Sequence, residues 1–381
     1  MIKTHVAFNG WFWDQPNTGS GQYLRRLVHN LRRLAPELAL TLVLPPHITA
    51  PEDLPPNVQP IFTRGRGGNL GKVWFEQRTF PQAVRQSGAE IAHVPYWGPP
   101  LTSSARLVTT ILDVIPLALP DYSSGFKARL YTSLATAAAR GSAHTITISD
   151  AAKDDIIRLL DLPPDSITTT HLAADEAYHP RLGAERDEAV RVKYNLPDQF
   201  VLAIGGFDLR KQFNQLLLAY TYVGQAEGDN IPLVIAGREP AWGTPMFPDM
   251  RRYAAELKIT DYIRWIGYID EADKPALYRL ADVFVFPSMY EGFGLPVLEA
   301  MASGTPVVAN NVSSIPEVAG DGAYLVENGN ARAMAGAIIA LLLQQPFRES
   351  LINQGLARAT NFSWRKTARE TLAVYEKVMA L

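Results

Sequence analysis

Two glutamates, Glu291 and Glu299, stand eight residues apart in SMYEGFGLPVLEAMASGTPVVA, residues 288–309, with Gly292 and Gly294 between them. The apolar run DVFVFP precedes this segment and reads as a buried strand. Pro296 suits the first turn of a helix beginning near residue 296, where its missing N–H costs nothing. A strand, a glycine-bearing loop and a helix N-terminus in that order aim free backbone amides and the positive end of a helix dipole at one point. A diphosphate is the expected guest. Glu299, about one turn inside the helix, is placed to accept hydrogen bonds from the vicinal hydroxyls of a ribose, whereas Glu291 in the loop lies nearer a sugar on the far phosphate. The competing reading is an ordinary strand-to-helix crossover whose glycines only turn the chain. The two glutamates, the glycines and the Gly-Thr-Pro turn before the next strand together weigh against it.

Such a site needs sheets to carry it, and the chain is long enough for two. Its 381 residues exceed the size at which one core stops growing. Short runs rich in Val and Ile alternate with helical patterns, the signature of parallel sheets with helical crossovers. Strands are expected near residues 4–9, 40–44, 91–94, 107–111 and 144–148, and again near 200–204, 232–236, 262–266, 282–286 and 306–309. Two such series predict an α/β chain of two doubly wound domains. The polar, proline-punctuated run HLAADEAYHPRLGAERDE before the strand at 200 places the boundary near residue 180. In FSWRKTARETLAVYEKVMAL, Trp364, Ala368, Leu372, Tyr375 and Met379 form one apolar stripe at helical spacing, which predicts a docking helix.

The balance of 36 basic and 38 acidic residues lacks the electrostatic footprint of a nucleic-acid binder. With no cysteine there is no disulfide, thiolate metal site or cysteine nucleophile. No Asp-x-Asp or His-rich cluster has convincing metal spacing, so no metal is expected. MIKTHVAFNG alternates like a first strand rather than running apolar like a signal peptide, and no stretch reaches membrane-spanning length. The expected location is cytoplasmic, with at most peripheral contact at the inner membrane face.

Residues 282–317 resemble the donor-binding core of glycosyltransferase family 4, and the likeness extends more weakly over most of the chain. The resemblance implies two Rossmann-like domains facing a cleft, the GT-B arrangement: residues 1–180 on the acceptor side, joined by the helix 364–381 packing back, and residues 181–363 binding the nucleotide sugar. It implies that Glu291 addresses the transferred sugar, that Glu299 holds the ribose, and that the backbone at Phe293, Gly294 and Leu295 holds sugar and phosphate. A second match, AIGGFDLRKQF at 203–213, implies that Arg210 and Lys211 neutralise the leaving diphosphate in place of a metal. Gly205 and Gly206 would let the backbone approach the phosphates. NTGSGQYLRRLV resembles the family's glycine loop, with Gly19 and Gly21 across the cleft from Arg210.

KVWFEQRTFP resembles the family's acceptor-side helix, with Trp74 and Phe75 read as core. In TTILDVIPLALP many relatives carry a His-Asp pair, and here Leu112 precedes Asp113. Asp113 either orients an acceptor hydroxyl or caps its loop. Two basic clusters, Arg25, Arg26, Arg32, Arg33 and Arg64, Arg66, Lys72, are either solvated faces or contacts for an anionic lipid surface or lipid-diphosphate acceptor. The function expected is a metal-independent, retaining transfer of a hexose, mannose or glucose, from GDP-mannose or a UDP-hexose to a hydroxyl of a glycan or lipid-linked acceptor. The alternatives are a non-catalytic nucleotide-sugar-binding subunit and a nucleotide-sugar epimerase. Oligomeric state is left open.

Overall fold

The computed structural model describes residues 4–65, 67–123, 125–227 and 231–381; Arg66 of the second basic cluster lies outside them. Thirteen strands form two wholly parallel sheets among these residues. The first sheet contains β1 (His5–Asn9), β2 (Ala39–Leu44), β3 (Val58–Phe62), β4 (Ile91–Val94), β5 (Arg106–Thr110), β6 (His144–Thr147) and β7 (Ile167–Thr169), in the order β3-β2-β1-β4-β5-β6-β7. The second contains β8 (Val201–Ile204), β9 (Leu233–Ala236), β10 (Ile263–Gly267), β11 (Val283–Phe286), β12 (Val307–Asn310) and β13 (Tyr324–Val326), in the order β10-β9-β8-β11-β12-β13. In each sheet the chain winds outward to one edge, returns to the middle and winds to the other.

All ten strands read from the sequence are present; nine of them are central, buried on both faces and therefore strongly apolar, and the tenth, β10, is an edge strand. The three the sequence does not announce, β3, β7 and β13, all sit on edges. Edge strands need less apolar surface, and only there is a proline such as Pro60 of β3 tolerated.

Two compact units follow: one comprises the chain through Leu172 together with Ser363–Leu381, the other Ala173–Phe362. In the first unit the helix Trp364–Met379 packs beside the helix Gly19–Leu34. Its buried face is Trp364, Thr367, Ala368, Thr371, Val374, Tyr375 and Val378, which includes Trp364, Ala368 and Tyr375 of the expected stripe, whereas Leu372 and Met379 are only half-buried. The two threonines can face the core because their hydroxyls find main-chain acceptors, Thr371 on Thr367 O at 2.8 Å and Thr367 on His171 O at 2.5 Å.

Beneath this helix lies a buried polar relay. The imidazole of His93 in β4 is hydrogen-bonded through Nδ1 to the Tyr375 hydroxyl at 2.6 Å and through Nε2 to Thr110 Oγ1 at 2.8 Å, and Thr110 is bonded in turn to the Tyr23 hydroxyl at 3.1 Å. The relay therefore joins two helices to two strands through one ring. Burial pushes the His93 pKa down to about 3.

The basic clusters do not form one solvated face. Arg32 is buried, donating to Pro36 O and Leu38 O, and Arg25 is held by Asp53 and lies 5.4 Å over the Trp13 ring. Arg26, Arg33 and Arg64 are exposed. Lys72 is turned inward, paired with Glu76. Trp74 is also unlike its expectation: Phe75 is 1% exposed but Trp74 is 63% exposed, since adjacent positions on a helix cannot share a face. No helix among the described residues is long and apolar enough to cross a membrane.

Tyr375→Phe, which strips one partner from the buried His93 ring, should lower stability by about 1–3 kcal/mol in urea denaturation at neutral pH. Below the ordinary histidine pKa of 6.5 the unfolded chain takes up a proton that folded His93 refuses until about pH 3. This contribution is therefore intact above pH 6.5 and lost as pH falls through that window. His93→Gln should flatten the corresponding stretch of a plot of stability against pH.

Candidate functional site

In the second unit β8 and β11 are neighbours from which the chain departs in opposite directions, and ligands of open α/β sheets sit outside the carboxyl ends of such strands. The chain leaves β8 through Gly205 and Gly206 and makes a single turn over Leu209–Lys211. Gln212, at φ 45°, then adopts a left-handed conformation before the helix Phe213–Glu227 begins. From β11 it passes through Pro287, Ser288 and the loop to Gly294, then enters the helix Leu295–Ala302 with Pro296 in its first turn.

Gly294 has φ 95°, and a Cβ there would stand 2.4 Å from Ile315 Cδ1. The left-handed backbone favours glycine, and a side chain there would also displace Ile315. No side chain caps this helix N-terminus. The Phe293 ring is buried against Phe362, with centroids 5.9 Å apart, so that this residue offers a ligand its backbone rather than its side chain.

Arg210 and Lys211 meet Glu291 across the switch. Glu291 Oε1 lies 2.7 Å from Arg210 Nη1 and 2.7 Å from Lys211 Nζ, and all three side chains are largely buried. Main-chain ties fix the two loops to each other: Met289 N donates to Arg210 O at 2.9 Å, and Arg210 Nη1 donates to Tyr290 O at 2.9 Å. Asp208 stands 3.5 Å from Arg210 Nε on the other side. Burial alone would push the Glu291 carboxyl up, but Lys211 and Arg210 outweigh it and hold it below the usual carboxylate range. The cluster is an ionised carboxylate with two cations at the mouth of a glycine-lined turn, a set able to take up and stabilise phosphate oxygens.

Glu299 has different company. It is buried one turn into its helix and accepts a hydrogen bond from the Tyr278 hydroxyl at 3.1 Å. Burial pushes its carboxyl up, and Lys274 and Tyr278 offset only part of that. The two glutamates are therefore driven apart in acidity, Glu291 held below and Glu299 pushed above the usual carboxylate range. The Tyr278 hydroxyl engages a carboxylate oxygen with which a vicinal diol could also bond.

The structure thus gathers Gly205, Gly206, Arg210, Lys211, Glu291, Gly292, Phe293, Gly294 and Leu295 at two adjacent strand ends, with Glu299 a helical turn beyond. Gly19, Gly21 and Asp113 belong to the first unit. Gly21 is held by its surroundings, since a Cβ would lie 2.0 Å from Gln15 O, whereas Gly19 faces open space. Asp113 Oδ1 accepts the Ile115 N–H at 3.1 Å, so of its two readings the loop cap is the one on display.

Several contributors were not read from the sequence. The Ser313 hydroxyl sits 2.9 Å from Glu291 N, and the Ser314 hydroxyl donates to Glu291 O at 2.9 Å. Buried Asn310 donates to Pro287 O at 2.5 Å. Together they staple the glutamate loop to the segment after β12, and the polar run NNVSSIP was the one visible signal.

Residues 186–358 match the model of the group 1 glycosyl transferases and residues 17–178 that of Glycosyltransferase Family 4. The O-antigen chain mannosyltransferase B of Escherichia coli is 35% identical over 272 residues, 71% of this chain and 70% of that protein. The MMP alpha-(1->4)-mannosyltransferase of Mycolicibacterium hassiacum is 33% identical over 250 residues, 64% of this chain and 56% of that protein. Among solved structures, a glycosyltransferase from Rickettsia africae aligns with a TM-score of 0.75 at 16% identity, covering 100% of this chain and 99% of its own. An Anabaena protein in complex with UDP and glucose aligns at 0.72 and 16% identity, covering 99% of both.

Replacing both cations, Arg210→Met with Lys211→Met, strands a buried carboxylate and should cost about 3–5 kcal/mol at pH 7. In the parent, Glu291 has a depressed pKa, so its contribution is present above the ordinary carboxylate pKa of 4.5 and fades as pH falls below it. The stability gap between parent and variant, measured by chemical denaturation, should accordingly narrow in acid.

Proposed function

The chain belongs to the group 1 and family 4 glycosyltransferases and is a hexosyltransferase; from that premise we propose that it transfers mannose from GDP-mannose to a glycan hydroxyl with retention of configuration. The observation that carries the reading is the shared carboxylate: Glu291 with Arg210 and Lys211 at the switch of the second sheet. The named activities of the relatives favour mannose as the hexose. A UDP-hexose is the second choice of donor, favoured by the Anabaena structure that holds UDP and glucose. The two relatives named above are transferases, which favours transfer over a non-catalytic subunit or an epimerase.

In this reading the diphosphate lies against the amides of the Phe293–Leu295 turn and shares Arg210 and Lys211 with Glu291. The ribose hydroxyls displace the Tyr278 hydroxyl from Glu299. As the bond between the anomeric carbon and the phosphate oxygen lengthens, negative charge accumulates on the diphosphate and the two cations stabilise it where it develops. The acceptor oxygen forms its bond to the anomeric carbon on the face the phosphate leaves, and its proton passes to a departing phosphate oxygen. Configuration is thereby retained without a covalent intermediate on the protein. Glu291, already ionised, is suited to accept hydrogen bonds from the sugar. A metal has no assigned part in this scheme. Contact of the protein with an anionic membrane face is a further proposal, resting on exposed Arg26, Arg33 and Arg64 alone.

A thermal-shift screen of nucleotide sugars should show the largest rise in Tm with GDP-mannose. Glu299→Ala should abolish most of that rise, weakening nucleotide affinity by roughly tenfold or more, the loss expected for a charge-assisted bond. NMR of the product should give the donor's own anomeric configuration; an inverted product would overturn the displacement described.

A further inference from the structure

The first sheet also reverses its winding, between β1 and β4, and what lies outside those two carboxyl ends differs in chemistry from the cationic site of the second unit. β1 ends in Asn9 and β4 leads into Tyr96, Trp97 and Gly98. Asn9 is fully buried, and its Oδ1 accepts the Trp11 N–H at 3.0 Å. Among the described residues its Nδ2 and the buried hydroxyl of Tyr96 make no hydrogen bond of good geometry, although the Tyr96 hydroxyl lies within reach of both Asn9 and Glu76. Two buried polar groups without a well-formed bond beside one strand end are a feature that native cores tend to avoid, since an unsatisfied group costs about 1–3 kcal/mol.

Over them stands Glu76, 1% exposed. It lies in Phe75–Thr79, a π-helical turn between the helices Gly68–Trp74 and Phe80–Ser87, and such widened turns redirect side chains and recur at functional sites. Lys72 Nζ lies 3.1 Å from Glu76 Oε1 and donates to the Tyr131 hydroxyl at 2.8 Å, and Tyr131 donates to Glu76 Oε1 at 3.1 Å. The same ammonium lies 4.9 Å from the ring centres of Tyr96 and Tyr131 and 5.4 Å from that of Phe12. A Cβ on Gly98 would fall 2.6 Å from the Tyr96 ring and 2.7 Å from Glu76 Oε1, so any other residue would displace these side chains.

The cluster is electrically balanced. Lys72 is committed to Glu76 and to three aromatic rings, so among the described residues a phosphate entering here would meet a carboxylate and a cation already engaged. A carboxylate, a primary amide and phenol hydroxyls set among aromatic faces instead match a pyranose, which offers vicinal hydroxyls at its rim and C–H bonds on its face. We propose that Asn9, Glu76, Tyr96 and Tyr131, steered by Lys72, form the specificity-determining subsite for a neutral acceptor sugar rather than for a lipid phosphate. The inference rests on the glycosyltransferase reading and narrows its acceptor. The unsatisfied donors are where a sugar lacking the matching hydroxyl would be rejected, because binding it would leave them open.

The test uses the whole protein, GDP-mannose and a panel of octyl glycosides of mannose, glucose and galactose, with octyl phosphate as the anionic probe. Tyr96→Phe, which preserves shape, and Glu76→Gln should each raise KM for the best octyl glycoside by about tenfold or more. The Tm rise caused by GDP-mannose should stay as in the parent. An acceptor deoxygenated at the hydroxyl in question should erase the difference between parent and Tyr96→Phe. The proposal fails if folded Tyr96→Phe and Glu76→Gln keep the parent KM, if no octyl glycoside is used by a protein that binds the donor, or if octyl phosphate competes with the acceptor and Lys72→Met abolishes that competition. A parent protein that neither binds any nucleotide sugar nor transfers hexose would sink the underlying glycosyltransferase reading instead.

Discussion

One carboxylate shared by two cations organises the second unit. Glu291 arrives from the loop after β11, Arg210 and Lys211 from the turn after β8, and their contact locks together two strand ends from which the chain departs in opposite directions. None of the three could be buried there alone without a large desolvation cost. Any anion that engages the two cations must share them with Glu291, so that occupancy of the site and the orientation of that carboxylate are coupled. The serines after β12 and the main-chain bond from Met289 to Arg210 keep the loops from relaxing when the sharing changes.

The same winding rule produces a second site of opposite character. At the switch of the first sheet the charges are already cancelled and the walls are aromatic; at that of the second, glycine backbone and cations predominate. One topology thus supplies two addresses. The side chains at the strand ends decide that one suits phosphate and the other a polyol.

Much of this was legible beforehand because it is written in short-range patterns. Central strands announce themselves as apolar runs, and the glutamate loop as glycines between a strand and a proline-led helix. What escaped did so for physical reasons. Strands β7 and β13 are only three residues long and β3 is interrupted by Gln59 and Pro60, so none makes a run long enough to stand out. The arginines at 25 and 32 read as a surface face, yet their partners, Asp53 and the carbonyls of Pro36 and Leu38, are met only after the chain folds back. The helix 364–379 hides two threonines in its buried face because their hydroxyls bond to main-chain carbonyls, which a hydrophobicity pattern cannot register. Glu76 stood in a segment noted for its neighbours Trp74 and Phe75, and only the π-helical turn shows why the glutamate is the residue turned inward.

The relay from Tyr23 through Thr110 and His93 to Tyr375 also fixes an order of events. Domains generally fold as they leave the ribosome, the earlier before the later. Here the earlier unit lacks one wall until residues 363–381 emerge, by which time the whole of Ala173–Phe362 has been synthesised. The second unit can therefore reach its native state first. Until translation supplies Tyr375, nascent β4 carries a histidine without its phenol, and the helix Gly19–Leu34 shows bare apolar surface to the cell's chaperones.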